Sequence, residues 1–268
     1  MRNVRFEVSY DGSRFFGWQR QAGFPSVQGA LEDAAEALLG TPVSVQGAGR
    51  TDTGVHALRQ VAHLHLQSRL SDDRLRHALN AHLAAGVVVR RLETCRDSFH
   101  SRFDARAKRY LYVVATSRFR PAFCHQHAHW VREPLDLAAM RAAAARLAGT
   151  RDFRAFSNTG SPRRTTVRTL APVRVLARRE RFAVIVQGDG FLYNMVRTLV
   201  GTLIEVARGK CDPASVTRAL ESGRRTDAGP TAPAAGLYLM RVLYDEPLFA
   251  AGPGPRAGPG FFGRGQPP

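Results

Sequence analysis

An α+β fold made of two tandem split β-α-β units is what this chain predicts, on three observations. The order strand, helix, strand, strand, helix, strand runs through residues 1–105, and it starts again at Lys108 and ends near Tyr244. In both copies the strands alternate apolar and polar residues while the helices carry one apolar stripe, which places the helices on one face of an antiparallel sheet. Such units are ferredoxin-like, and the expectation is that the antiparallel sheets of two domains, residues 1–105 and 106–250, join around a central cleft. Residues 251–268 open with Ala251-Gly252-Pro253-Gly254-Pro255, are too rich in Gly and Pro to bury a core, and read as a disordered tail.

Each element has its own reason. Asn3 to Tyr10 alternates and stops at Asp11-Gly12, a strand running into a turn. Ser26 is placed to cap a helix in which Val27, Ala30, Leu31, Ala34, Ala35, Leu38 and Leu39 recur at helical spacing before Gly40 ends it. Thr41 to Gln46 reads as a strand, as does Gln60 to Gln67 with Ala62, Leu64 and Leu66 on one face. A helix from Ser71 carries Leu75, Ala78, Leu79 and Leu83, and the strand Val87 to Leu92 closes the first copy. In the second copy the strand Arg109 to Ala115 leads to a helix from Asp136 through Leu147, strands Val173 to Ala177 and Phe182 to Gln187, a helix from Tyr193 to Arg208, and a final strand Leu237 to Tyr244. A short extra helix begins at Asp212-Pro213, where the missing N–H of proline at a first turn costs little.

Charge narrows the partner. Lys and Arg number 39 against 22 Asp and Glu, a formal +17, and most of the excess is Arg, whose planar fork suits phosphate. A polyanion is the expected partner. No apolar run reaches the roughly 18 residues of a membrane span, and Met1-Arg2-Asn3-Val4 enters a strand pattern directly, so a soluble, cytoplasmic protein is expected. Cys95, Cys124 and Cys211 are too few and too irregularly spaced for a disulfide framework or a structural zinc site.

The stretch Gly49-Arg50-Thr51-Asp52-Thr53-Gly54-Val55-His56-Ala57 sets one carboxylate beside one guanidinium in a glycine-flanked loop between two strands. Asp52 there is a nucleophile, a general base, or a turn cap. Arg197 stands among Met195, Val196, Leu199, Val200 and Leu203, where a charge wants a carboxylate, and Gly201 one turn on leaves room for a close approach. With the two copies packed edge to edge, Arg197 is expected to reach Asp52, lower its pKa and keep it ionised; the other reading is a charge on the solvent side of an amphipathic helix. Tyr110 and Tyr112 share a strand face beside Arg102, Arg106, Lys108 and Arg109, an arrangement on which unpaired bases stack, or else ordinary half-buried sheet packing. The polar loop Ser157 to Arg168, with Arg163, Arg164 and Arg168, reads as a phosphate-contacting loop. His125, His127 and His129 alternate, as do His63 and His65, yet further ligands at suitable spacing are missing, so no metal is expected.

With these residues in view, the chain resembles the TruA-type tRNA pseudouridine synthases. The resemblance rests on Tyr10-Asp11-Gly12-Ser13, Gly17-Trp18-Gln19-Arg20, Gly49 through Ala57, Phe99-His100-Ser101-Arg102-Phe103, Tyr110-Leu111-Tyr112, Phe191 through Gly201, and Gly236-Leu237-Tyr238-Leu239. It implies isomerisation of uridine to pseudouridine on the 3′ side of the tRNA anticodon stem-loop, by a homodimer that uses neither metal nor organic cofactor. By resemblance Asp52 is the essential aspartate, Tyr110 the tyrosine stacked on the target uracil, Arg197 the arginine paired with the aspartate, Leu237 an apolar contact below the base, and Arg50 an RNA-contacting arginine. RNA contacts are also expected from Phe99, His100 and Arg102. The chain departs from the common pattern at His82, at the residue ahead of Gly236-Leu237, and in its tail, none of which is a catalytic position.

Two rivals compete with that reading. Asp52-Thr53-Gly54 is the triplet of aspartic proteases, but those enzymes need two carboxylates sharing a proton and the second copy has no matching triplet. A non-catalytic RNA-binding or RNA-folding protein would use the basic surface and the aromatics without needing Asp52.

Overall fold

The computed structural model describes residues 1–123, 125–158 and 165–249. The expected tail at 251–268, together with Arg163 and Arg164, lies outside the described residues. In chain order the first half contains β1 (Arg2–Tyr10), α1 (Val27–Leu39), β2 (Gln46–Gly47), β3 (His56–Leu66), α2 (Asp72–His82) and β4 (Val87–Cys95). The second contains β5 (Ala107–Thr116), β6 (His129–Val131), α3 (Leu137–Ala145), β7 (Gly149–Asp152), β8 (Val167–Leu170), β9 (Arg174–Arg178), β10 (Arg181–Gly188), α4 (Met195–Ala207), α5 (Ser215–Ser222) and β11 (Leu237–Leu243).

The two strongest sequence signals for helices end where their caps put them. Ser26 Oγ accepts the Gly29 amide at 3.1 Å, and Gly40 takes the left-handed turn at φ 72° that stops α1. Ser71 caps α2 through the Arg74 amide. Strand periodicity is equally literal: Val4, Phe6, Val8 and Tyr10 of β1 are buried, as are Ala62, Leu64 and Leu66 of β3. Their shared face meets α1 and α2 through Val27, Leu31, Ala35, Leu75 and Leu79, and the same apolar core continues under the second half to Met140, Leu199 and Leu203.

Thr41 to Gln46 does not form the expected strand; only Gln46 and Gly47 pair, with His63 and Ala62. The cause is α1 itself. Glu32 Oε1 accepts the Val45 amide at 3.0 Å and Gln28 Nε2 donates to the Val45 carbonyl at 3.1 Å, so helix side chains occupy the backbone groups a ladder would need. The short strands β6, β7 and β8 were not expected, and β8 claims Arg168 from what had read as loop.

The sheets of the two halves are one. β11 lies between β3 and β5 in the order β4-β1-β3-β11-β5-β10-β8-β7. It runs antiparallel to β5 but parallel to β3, with Tyr238 opposite His56 and Leu239 opposite Ala57. The junction is therefore a mixed sheet and not the purely antiparallel join expected. One row across it, Tyr10-Ala57-Leu239-Tyr110, passes from β1 to β5 through registered neighbours and places the loop ahead of β3 beside the second half.

Candidate active site

Between β2 and β3, residues 49–55 make no ladder and are held by their surroundings. Gln60 Nε2 donates to the Gly49 carbonyl at 2.7 Å, the Trp18 amide donates to the Thr51 carbonyl at 3.0 Å, and the Tyr10 hydroxyl lies 2.8 Å from Thr51 Oγ1. The Val55 amide closes a turn on the Asp52 carbonyl at 3.1 Å. Gly17 makes this grip possible: its φ is +91°, and a Cβ there would stand 2.6 Å from the Thr51 oxygen. With both flanks tied, the Asp52 side chain is presented one-third exposed, at 33%.

Arg197 comes to it from α4. Its Nη1 lies 3.6 Å from Asp52 Oδ2, and the side chain is only 19% exposed, so the solvent-facing alternative does not hold. The guanidinium is aimed by two further bonds, Nε donating to the Ala232 carbonyl at 2.7 Å and Nη1 to Asn194 Oδ1 at 2.9 Å. Asn194 sits in the left-handed region at φ 58°, which non-glycine residues adopt sparingly and asparagine best. The approach expected at Gly201 is that of Pro230: a Cβ on Gly201 would fall 1.8 Å from the Pro230 oxygen, so only glycine lets the 229–232 segment carry the Ala232 carbonyl to Arg197. Burial pushes the Asp52 carboxyl above its usual range, and the charge and hydrogen bond of Arg197 pull it back only in part. The expected lowering is thus reversed in sign, because desolvation of a largely buried carboxylate outweighs one guanidinium at 3.6 Å.

Tyr110 stands on β5 opposite Leu239 of β11 and Val186 of β10, buried, with Phe191 edge-on at 5.0 Å and 85°. Burial drives its phenol pKa upward, and the neighbouring Tyr10 and Asp52 add to the rise, so the hydroxyl keeps its proton. Leu237, also buried, faces the same side of the sheet opposite Tyr112. The Tyr112 hydroxyl is spent on the Pro233 carbonyl at 2.8 Å and so fixes the turn before β11. Asp52 from a loop, Arg197 from the first turn of α4 and Tyr110 from within β5 therefore come together at the seam of the sheet, with Leu237 at the start of the neighbouring β11.

The other expected RNA contacts separate. Arg50, next to Asp52, is exposed, as is Arg102. Phe99 is not available: it is 3% exposed and packs against His63, Tyr244 and the Arg5 guanidinium. His100 is half-buried and stacks on Phe103 at 4.2 Å, and Phe103, 73% exposed with Arg102 above it, is the open ring of that motif. Arg168 turns its Nη1 onto the Thr165 and Val167 carbonyls.

Of the alternating histidines, His63 and His65 lie on β3 and His129 on β6, while His125 and His127 precede β6, and His63 bonds to Ser101. A different set assembles instead: Asp11, His56 and His127 each bring a ligand atom within 4.8 Å of the others. Both nitrogens of His56 are already committed, Nδ1 to the Gly12 amide at 3.1 Å and Nε2 to the Gln126 carbonyl at 2.9 Å. Its ring stacks on Tyr238 at 4.6 Å and on His127 at 5.0 Å, and burial holds its pKa below the usual value. This is a clasp of a neutral imidazole that ties β3 to the second half; a metal would have to break it. No spacing of ligands in the sequence could have shown a group drawn from such distant segments.

Comparison with known proteins shows the family. The profile of the tRNA pseudouridine synthase family matches residues 7–104 and 143–245. The chain is 42% identical to tRNA pseudouridine synthase A of Acetivibrio thermocellus over 91% of its own length and 100% of the relative's. It is 42% identical to that of Nitrobacter winogradskyi over 91% of its length and 96% of the relative's, and 42% identical to that of Agrobacterium fabrum over 92% and 94%. A crystal structure of an archaeal box H/ACA sRNP Nop10-Cbf5 complex covers 75% of this chain and 44% of that one at 11% identity and a TM-score of 0.35, too distant a likeness to carry an argument.

Proposed function

Because the chain belongs to the tRNA pseudouridine synthase family, isomerases that act on tRNA, we propose that it converts uridine to pseudouridine on the 3′ side of the anticodon stem-loop, with Asp52 as nucleophile on a flipped-out base. The observation that carries this is the Asp52 and Arg197 pair at 3.6 Å beside the buried Tyr110. The reaction breaks the bond from N1 to C1′ and forms one from C5 to C1′, while C5 loses a proton and N1 gains one; nothing is added or lost overall. A carboxylate nucleophile fits an isomerisation of this kind, since it can hold a covalent intermediate without a second substrate. Tyr110 stacks on the extruded uracil with Leu237 beneath it, and Arg197 holds and partly neutralises Asp52 as charge shifts. Arg50, His100 and Arg102 contact the RNA.

Extruding a stacked nucleotide costs on the order of a few kcal/mol, which stacking and phosphate contacts offset. The +17 formal charge supports that part of the reading. Residues 1–105 and 106–250 act as two ferredoxin-like domains in it; the strand orders β4-β1-β3-β2 and β11-β5-β10-β9, the same arrangement twice, support the division. We further take the enzyme to work in the cytoplasm as a homodimer, one tRNA touching both subunits; no helix among the described residues is long and apolar enough to cross a membrane.

The test is to incubate purified protein with unmodified tRNA and map pseudouridine at base resolution, wild type against Asp52→Asn. The reading requires product in the anticodon stem-loop with the wild type and none with the variant. Product elsewhere would refute the position, and product from Asp52→Asn would refute the nucleophile.

A further inference from the structure

Next to the Asp52 loop lies an aromatic pair that the catalytic reading leaves unused. Phe16 is 46% exposed and Phe24 52% exposed, their ring centroids 4.7 Å apart and their planes inclined at 47°. Neither ring is stranded on a loose loop. The Phe16 amide donates to the Pro25 carbonyl at 2.8 Å, Gln21 and Phe24 form a bridge, and the Val27 and Gln28 amides donate to the Gly17 and Trp18 carbonyls, so the segment is fastened at both ends to the start of α1.

The position of the pair is informative. Phe16 directly precedes Gly17 and Trp18, the two residues that press on the Thr51 carbonyl, and a Cβ on Gly17 would also lie 3.2 Å from the Asp52 carbonyl carbon. Its neighbours Tyr10, Phe15 and Trp18 are buried, so the chain had apolar cover to offer and still leaves Phe16 in water. The flanking Arg14 and the nearby Arg50 are exposed cations. Half-exposed rings fastened by backbone bonds, with exposed arginines in the same two segments and joined to the residues that touch the Asp52 loop, match a surface that grips unpaired nucleic acid: the π-face takes a base and the cations take its phosphates. A protein partner would be met by a broader apolar patch with fewer charges.

We propose that Phe16 and Phe24 form a stacking platform for an unpaired nucleobase of the RNA strand entering the site, next to the nucleotide that reaches Asp52. The platform rests on the activity proposed above and adds a subsite to it. It acts through a π-face, so it is sequence-tolerant, and it contributes to grip without bearing charge.

Fluorescence anisotropy of labelled, unmodified tRNA over a range of salt tests it with Phe16→Ala, Phe24→Ala and the conservative Phe16→Tyr. Each alanine variant is expected to weaken binding by about tenfold, in line with the loss of one stacked base. The slope of log Kd against log salt should stay at the wild-type value because no cation is removed. Phe16→Tyr should restore affinity, and in turnover the loss should fall on KM more than on kcat. Wild-type affinity in both alanine variants overturns the platform alone, provided the wild type binds and modifies tRNA; a wild type that binds no tRNA overturns the platform and the activity together. Altered sedimentation of the alanine variants with tRNA affinity intact would assign the pair to a contact between protein chains and also overturn it. Both rings are solvent-exposed, so the variants should fold, and unchanged melting confirms that the affinity is being read from a native protein.

Discussion

The two halves bring Asp52 and Arg197 to the seam by opposite means. The first half offers Asp52 on a loop whose carbonyls are held by the Trp18 amide and the Gln60 side chain. The second offers Arg197 from inside a helix, aimed by the Ala232 carbonyl and Asn194. A loop lets a carboxylate be presented at an angle no regular element allows, whereas a helix holds a long cation still. The pairing is therefore asymmetric: the carboxylate is placed by bonds to the main chain of its loop, and its counterion by hydrogen bonds to its own guanidinium. Variants that remove the group, its partner or its support should separate these contributions.

The largest effect is expected from Asp52→Asn, which is nearly isosteric and leaves the loop's backbone bonds in place. Turnover should fall by at least about 1,000-fold, as when a nucleophile is removed, with melting temperature and tRNA affinity near wild type. Single-turnover pseudouridine formation measures it. Residual activity within tenfold of wild type would mean that the loop presents something other than the nucleophile.

Arg197→Met comes next and acts on the pair from the other side. It removes the donor to the Ala232 carbonyl and leaves Asp52 without its cation, so stability should drop by about 1–3 kcal/mol and turnover by roughly 100-fold. The pH dependence gives the sharper reading. Burial already raises the Asp52 pKa, so kcat/KM should rise with pH through a limb above the ordinary aspartate value, and that limb should move further up in Arg197→Met. Stability has the opposite sign. A carboxyl whose folded pKa lies above its unfolded value binds more protons in the folded state, so this group's contribution to stability falls as pH rises between the two values. An activity limb that stays put in Arg197→Met would disconnect the two halves electrostatically.

How much of this was legible beforehand follows the same division. The Asp52 loop and the capped helices were local signals, and Ser26, Gly40 and Ser71 mark their boundaries in the sequence itself. Arg197 was legible as a buried charge in need of a partner, and its partner is the one expected. What escaped was non-local. The strand at Thr41 to Gln46 was lost to Glu32 and Gln28, a competition between side chain and backbone that periodicity does not register. β7 and β8 expose most of their residues and carry no apolar alternation to detect. Phe99 and Phe103 belong to one motif, and only the packing of Phe99 on His63 and Tyr244 tells which ring is structural. The direction of the Asp52 shift needed the burial of its side chain, which no sequence pattern contains.

One glycine supports each half, and their substitution by alanine compares the supports directly. Gly201→Ala puts a methyl 1.8 Å from the Pro230 oxygen and must push the 229–232 segment off α4, while Gly17→Ala meets the Thr51 oxygen at 2.6 Å with φ +91°. Each should cost about 1–3 kcal/mol, Gly201→Ala the more because its backbone clash is the closer of the two, and denaturant midpoints at constant m measure it. Equal loss of turnover at equal stability would show that the loop and the helix position the pair with the same tolerance.

The smallest effects are expected from the two tyrosines of β5, which share a face and differ in what their hydroxyls do. Tyr112→Phe removes the bond to the Pro233 carbonyl and should cost about 1 kcal/mol of stability with turnover nearly unchanged. Tyr110 has no hydrogen-bond partner among the described residues, so Tyr110→Phe should leave stability unaltered and keep the stacking ring. A fall in kcat of about tenfold in that variant would assign its hydroxyl a share in moving the proton from C5, a modest contribution for a positioned acid or base. The raised phenol pKa sets the form of that share: the group begins protonated, so it must pass its own proton on as it receives another. Full turnover in Tyr110→Phe would leave only the ring, and the proton would then travel by water or by Asp52 itself.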